Sequence, residues 1–274
     1  MDPAASNPEP IQPPASAITS PASAVSVGGV GIAAGFLSGL FGVGGGVIIV
    51  PALVAILGMD RRRASATSLL SIILTASIGA ISYGIRGDIS IIGSAILVCG
   101  ALIGTYIGTK LLRVLPAKIL PWTFVAFIVI VIISQQFHIP TRGSELILDP
   151  LRIVALIGIG LLSGVFAGLV GVGGGSIIVP GMQLCAGVGD LLARGTSLLV
   201  MIPTAISGTW SNSRYHLVDW RTGLVLGICA AAITPLGAWV AALLTPQIGT
   251  LLFTLFLIGI AIETIMRSRR SHKN

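Results

Sequence analysis

The fold is decided by GVGGGVIIVP at residues 42–51, because the chain contains this stretch twice and returns to it as GVGGGSIIVP at residues 171–180. Only the sixth position differs, and the offset is 129 residues (171 minus 42). The same offset relates the two TSLL motifs at residues 67–70 and 196–199, whereas Asp88 matches Asp219 only after a two-residue slip. Two motifs at one offset indicate an internal duplication.

The composition predicts an all-α integral membrane protein. Of the 274 residues 54% are hydrophobic and only 9% are charged, and the mean hydropathy is +1.00. Soluble domains carry about 25% charged residues. The composition therefore excludes a soluble globular protein, and the lipid bilayer is the expected environment.

Each half of the duplication contains five apolar segments separated by short polar breaks. The segments are 27–41, 47–59, 64–84, 89–112 and 119–137 in the first half, and 153–170, 176–187, 191–213, 220–244 and 248–266 in the second. A full crossing of the membrane needs ~20 apolar residues. The third to fifth segments of each half satisfy this length, whereas the first two are short and are separated only by the glycines.

The distribution of Lys and Arg predicts the topology. If each glycine string reverses the chain, twelve of these residues lie on the side of the two termini and four on the other side. Lys and Arg accumulate on the cytoplasmic side, so both termini are expected in the cytoplasm. Five segments per half then make the second half an inverted copy of the first, as in many secondary transporters.

These patterns divide the chain into five regions. Residues 1–26 are expected to form a disordered tail, because they are rich in Pro, Ala and Ser and contain no Lys or Arg. Residues 27–137 and 151–266 form the two membrane repeats. A periplasmic linker at residues 138–150 joins them, and a basic cytoplasmic tail follows at residues 267–274.

The glycine strings are the strongest candidate for a binding site. Two short helices joined by glycines predict a re-entrant hairpin, whose tip exposes unpaired N–H groups at a helix N-terminus. Two such tips approaching from opposite faces favour a small anion between them. The alternative is that these glycines only permit close helix packing, as expected for Gly35, Gly39, Gly164 and Gly168. The candidate residues are Gly42, Gly44, Gly45, Gly46, Gly171, Gly173, Gly174, Gly175 and the adjacent Ser176.

Hydroxyl and guanidinium groups extend the candidate site. Thr67 and Ser68 begin the third segment of the first half, and Thr196 and Ser197 recur at the same place in the second. Their hydroxyls either donate to the anion or bond to their own or a neighbouring helix. Arg194 either attracts the anion or reaches the lipid headgroups.

The remaining polar groups give no sign of metal binding or catalysis. No histidine has a second ligand at metal-binding spacing. No cofactor, nucleic acid or enzyme activity is expected, and no feature indicates an oligomeric state. The polar run at residues 207–219 is interpreted as an ordinary loop, with a vestibule lined by Asn212, Arg214 and His216 as the alternative.

The repeated glycine motif, followed each time by Ala-Thr-Ser-Leu or Gly-Thr-Ser-Leu, resembles the sulfite exporter TauE/SafE family over about residues 28–266. The resemblance implies a permease of the bacterial inner membrane for sulfite, sulfoacetate or related organosulfonates. The expected function is secondary transport of a small sulfur-containing anion, in the direction of export. A passive anion channel and a non-transporting receptor or assembly subunit are the alternatives. The first copy has Ala66 where the second has Gly195, so the two half-sites need not be chemically equal.

Overall fold

The chain folds into helices in the part that the computed structural model describes, which is residues 21–116, 119–136, 146 and 149–270. In chain order the helices are α1 (Pro21–Phe41), α2 (Gly46–Ile56), α3 (Arg61–Gly84), α4 (Ile91–Val114), α5 (Leu120–Gln136), α6 (Pro150–Val170), α7 (Gly175–Ala186), α8 (Asp190–Ser213), α9 (Trp220–Leu243) and α10 (Pro246–Arg270). Most of the predicted linker at 138–150, and residues 1–20 and 271–274 of the predicted tails, lie outside the described residues.

Five of the described helices are long and apolar enough to cross a membrane: α3, α4, α6, α8 and α9. The protein is therefore a multi-pass membrane protein. One of the five is α6. The sequence predicted a shorter segment here, because it placed the start at Ile153, whereas the helix begins at Pro150. Other helices also exceed their predicted bounds: α1 begins at Pro21, α3 begins at Arg61, and α10 continues to Arg270.

The polar breaks between the segments contain helix caps. Asp60, Ser90, Asp149 and Asp219 each accept a hydrogen bond from a main-chain N–H two or three residues further on, at the start of α3, α4, α6 and α9. Such caps satisfy N–H groups that the first turn of a helix leaves unpaired. These side chains therefore fix where four of the long helices begin.

The caps also correct one detail of the internal alignment. The sequence paired Asp88 with Asp219 after a slip of two residues. In the structure Ser90 and Asp219 are equivalent, because each is the N-cap of the fourth helix of its half. Their numbers differ by 129, so the offset stays constant through the first four helices of each half.

The two halves are interlocked rather than packed as separate bodies. Helix α1 of the first half packs along α9 of the second, and α6 of the second half packs along α4 of the first. A Cβ added at Gly35, Gly39, Gly164 or Gly168 would approach a main-chain carbonyl oxygen of the facing helix too closely. The expectation that these four glycines permit close helix packing is confirmed.

Helices α3 and α8 form the centre of the molecule. They pack against each other, and each also contacts α9 or α4 of the other half. The largest apolar cluster includes Ile72 of α3 and Met201 of α8, together with Val43 and Val172 from the two glycine motifs. The glycine motifs of both halves therefore meet in the core, against the two central helices.

Candidate functional site

Two glycine turns connect the short helices to their predecessors. The first glycine turn is Gly42–Gly46, between α1 and α2, and the second is Gly171–Gly175, between α6 and α7. The first, third and fourth residues of each turn have left-handed backbone with φ between 71° and 84°. Side chains disfavour this conformation, so the turn geometry requires glycine at these positions. The fourth residue of each turn, Gly45 or Gly174, is the N-cap of the helix that follows.

The two glycine turns are in direct contact with each other. A Cβ added at Gly46 would lie 2.5 Å from the carbonyl oxygen of Gly171, and one added at Gly175 would lie 2.5 Å from that of Gly42. Each of these oxygens therefore packs against the first residue of a helix, where the N–H groups lack partners within the helix. The structure brings the predicted glycines of both halves together in a closed arrangement.

The two serines of the repeated motif bridge the halves. The hydroxyl Oγ of Ser68 lies 2.5 Å from the carbonyl oxygen of Gly171, and that of Ser197 lies 2.6 Å from the carbonyl oxygen of Gly42. Each hydroxyl is also within 2.9 Å of a carbonyl oxygen of its own helix. The serines thus reach the glycine turns, but their hydroxyl protons are directed to main-chain carbonyls in this closed state.

The two threonines lie next to these serines but contact a different part of the other half. The hydroxyl oxygen of Thr67 accepts the main-chain N–H of Asp219 at 3.0 Å, and that of Thr196 accepts the N–H of Ser90 at 2.9 Å. Their partners are the caps of α9 and α4. The structure therefore separates the predicted Thr-Ser pairs, with the serines at the glycine turns and the threonines at the helix caps.

Ile72 and Met201 close the space between the glycine turns. A Cβ on Gly44 or on Gly173 would overlap with the Cε methyl of Met201 and would lie 3.2–3.3 Å from the side chain of Ile72. Both side chains are fully buried. Sequence reasoning missed this pair, although their numbers differ by 129 and place them one turn beyond the Thr-Ser motifs.

Two serine hydroxyls beside the second glycine turn lack partners among the described residues. Ser176, the second residue of α7, is 0% exposed, and Ser163 of α6 is 1% exposed. A Cβ added at Gly174 would lie 2.6 Å from the Oγ of Ser163, so that hydroxyl contacts the turn. Sequence reasoning included Ser176 but missed Ser163. The sequence points to Ser163 only through the internal alignment, in which the equivalent residue of the first half is Ala34.

Arg194 lies inside the protein. It is 5% exposed, and its Nη1 donates to the carbonyl oxygen of Leu40 at 2.7 Å, just before the first glycine turn. Its Nη2 lies 3.5 Å from a carboxylate oxygen of Asp190, and both side chains are buried. Arg194 is thus paired with an acid that sequence reasoning did not single out.

A small cavity of about 20 Å³ lies beside Arg194. This volume admits one water molecule. Gln183 of α7 and Thr250 of α10 contribute polar groups to its lining, while Phe41 and Phe253 contribute apolar surface. The cavity combines a guanidinium and an amide with aromatic rings, and it is next to the first glycine turn.

The polar run at residues 207–219 divides into a buried and an exposed part. Asn212 is buried in the last turn of α8, and its amide has no partner among the described residues. Arg214 and His216 lie in the exposed turn after α8, where Arg214 stacks on Trp210 at 5.4 Å. The interpretation as an ordinary loop therefore fits Arg214 and His216, whereas Asn212 belongs to the helix core.

Together, the membrane-length helices and the buried contact between two glycine turns define a multi-pass membrane protein whose halves meet through polar contacts at its centre. The family model "Sulfite exporter TauE/SafE" matches residues 5–134 and 156–274, one match for each half. The chain belongs to this family.

Curated relatives carry the same kind of name. A "Probable membrane transporter protein" of Haemophilus influenzae is 32% identical over 266 residues, which cover 87% of this chain and 96% of that protein. A protein of the same name from Xylella fastidiosa is 24% identical and covers 89% and 95%. "Probable membrane transporter protein YunE" of Bacillus subtilis is 32% identical over 123 residues, 42% of this chain and 45% of that protein. No solved structure matches. Family and relatives identify a membrane transporter.

Proposed function

We propose that the protein is a secondary transporter that exports small sulfur-containing anions such as sulfite, sulfoacetate or related organosulfonates. One observation carries the proposal: a serine hydroxyl and a helix N-terminus converge on one carbonyl oxygen at each glycine turn. The carbonyl oxygen of Gly42 accepts from Ser197 and packs against Gly175, the first residue of α7. Because a carbonyl oxygen carries partial negative charge, this position also suits an oxygen of an anion.

An anion that binds here competes with the contact between the turns. It takes the place of the Gly42 or Gly171 carbonyl, and the serine hydroxyl then donates to the anion instead. Ile72 and Met201 fill the space between Gly44 and Gly173, so they must move apart as the turns separate. A site that exists only when a closed contact opens supports a carrier over a passive channel, which needs a continuous water path.

The pattern of contacts also supports an inverted repeat with re-entrant hairpins. The serine and threonine contacts between the halves recur at an offset of 129 with the two halves exchanged, as in Ser68 to Gly171 and Ser197 to Gly42. A two-fold axis that relates the halves produces such an exchange, and in an inverted repeat this axis lies in the plane of the membrane. Both termini then lie in the cytoplasm and the linker at residues 138–150 in the periplasm, in agreement with the Lys and Arg distribution.

Transport by the purified full-length protein in proteoliposomes tests the function. Radiolabelled sulfite and sulfoacetate are expected to cross, and unlabelled sulfonates to compete, while amines and neutral amino acids do not. Trans-acceleration by internal substrate distinguishes a carrier from a channel, because a channel gives currents without it. Transport of amines with no response to sulfonates would contradict the proposal.

Cysteine labelling in intact cells tests the orientation. Ser144→Cys and Ser271→Cys are each introduced after replacement of Cys99, Cys185 and Cys229, of which the first two are exposed in the structure. An impermeant thiol reagent is expected to label position 144 and not position 271. Equal labelling of both positions would contradict the inverted arrangement.

A further inference from the structure

The second glycine turn carries chemistry that its counterpart lacks. The hydroxyls of Ser163 and Ser176 are buried and, within the described part of the chain, have no hydrogen-bond partner. Buried hydroxyls in native proteins nearly always have a partner. Two such groups within one turn of the same helix N-terminus therefore indicate a ligand.

The main chain adds further donors at the same place. The N–H groups of Gly175 and Ser176 are the first two of α7, and among the described residues they donate to no acceptor, whereas those of Ile177 and Ile178 bond to the carbonyl of Gly174. The N-terminus of a helix attracts negative charge through these groups and its dipole. Two N–H groups and two hydroxyls thus surround the start of α7.

The first glycine turn has the same backbone without these side chains. Ala34 stands at the position of Ser163, and Val47 at that of Ser176. A Cβ added at Gly45 would lie 3.0 Å from the carbonyl oxygen and 3.3 Å from the Cβ of Ala34, so the packing matches that of Gly174. The hydroxyls are therefore not needed to build the turn.

We propose that the transported oxyanion binds at one turn only, the N-terminus of α7, where Ser163 and Ser176 are its side-chain donors. The first glycine turn, with Ala34 and Val47 at these positions, supplies no such hydroxyls, and its Gly42 carbonyl is the group that the anion displaces from the start of α7. This inference rests on the proposed transport of an oxyanion, and it names which of the two equivalent turns binds the substrate and which side chains recognise it.

Replacement by the residues of the first turn tests this assignment. Ser163→Ala and Ser176→Val each transplant a side chain that the equivalent position already accommodates. In the full-length protein in nanodiscs, calorimetry with sulfite and with sulfoacetate is expected to show at least about tenfold weaker binding for each variant, the loss of one hydrogen bond to a charged group. The thermal midpoint of the substrate-free protein is expected to stay or rise, because each variant removes a buried hydroxyl without a partner.

Ser38→Ala is the matched control. Ser38 is another buried hydroxyl without a partner among the described residues, but it lies in α1, before the first turn. Its removal is expected to leave both affinities within about twofold of the wild-type value. A loss of affinity in Ser38→Ala that equals the loss in Ser163→Ala would overturn the assignment to one turn.

The outcomes separate this inference from the proposed function. Wild-type affinity in both Ser163→Ala and Ser176→Val, while the wild-type protein binds sulfite or sulfoacetate, would overturn the assignment and leave oxyanion transport intact. Absence of binding and transport of either anion by the wild-type protein would overturn both.

Discussion

Three apolar residues near the first glycine turn in the sequence have polar equivalents near the second. Ala34, Val47 and Val54 of the first half correspond to Ser163, Ser176 and Gln183 of the second, all at an offset of 129 residues. The contacts between the two turns, by contrast, are the same in both directions. The two turns thus share the same backbone contacts and differ in the polarity of the side chains near them.

The comparison extends to the buried charge. Arg194 and Asp190 form an ion pair near the start of α8, and the equivalent position to Arg194 is Ser65 of α3. Charges buried in a membrane protein are costly and generally serve function. Because the pair occurs in one half only, it makes the two halves chemically different at the centre of the protein.

The largest expected effect concerns this charge. Arg194→Ala removes the cation that faces the buried Asp190 carboxylate and is expected to lower the free energy of unfolding by about 3–5 kcal/mol. Ser65→Ala, the equivalent change in the first half, is expected to cost less than about 1 kcal/mol. Thermal unfolding in detergent measures both.

A second substitution checks the cause. Arg194→Ala combined with Asp190→Asn is expected to recover a large part of the lost stability, because the buried negative charge is removed together with the cation that faces it. Equal losses in Arg194→Ala and Ser65→Ala would show that the halves do not differ in this respect.

The next largest effect tests the symmetry of the backbone. Gly44→Ala and Gly173→Ala each force a side chain into the left-handed region and against Met201. Overpacking costs about 1–3 kcal/mol and the conformation about 1–2 kcal/mol more. Transport per folded protein is expected to fall to background in both variants. Adding Met201→Ala to either variant is expected to restore part of its stability. A large difference in stability or transport between Gly44→Ala and Gly173→Ala would show that the two turns are not equivalent.

Smaller effects are expected from the bridging serines. Ser68→Ala and Ser197→Ala each remove a hydrogen bond to a carbonyl of the other half, and each is expected to cost about 1–3 kcal/mol of stability. Ser71→Ala is the control, because its hydroxyl bonds only within α3. Affinity for sulfoacetate is expected to fall more in Ser197→Ala, because the Ser197 hydroxyl bonds to the Gly42 carbonyl, which packs against the first residue of α7. The reverse order would assign the substrate to the first turn.

The smallest effect on transport is expected at two glycines that have left-handed backbone but lie outside the glycine turns. Gly58 and Gly187 are equivalent residues with φ of 62° and 68°, and a Cβ on either would meet nothing within 4 Å. Gly58→Ala and Gly187→Ala are each expected to cost about 1–2 kcal/mol of stability with transport unchanged. Loss of transport in either variant would show that strain alone explains the effects at the glycine turns.

Much of the architecture was determined by the sequence itself. The duplication, the membrane environment and the helical segments follow from local signals: identical motifs at one offset, the scarcity of charge, and apolar runs that end at capping residues such as Asp60. The role of Gly35 and Gly39 in packing was also predictable, because small residues four apart mark a close helix contact. The glycine turns of the two halves lie together, as predicted from the repeated motif.

Tertiary structure decided the rest, because it depends on which groups meet across the two halves. Thr67 and Ser68 are neighbours in sequence but contact the cap of α9 and the second glycine turn, respectively. Ile72 and Met201 look like ordinary core residues until both are found between Gly44 and Gly173. The burial of Arg194 against Asp190 also depends on the contact between the two halves. The repeat is visible in the sequence, whereas the way the two halves interlock determines which residues contact each other at the centre.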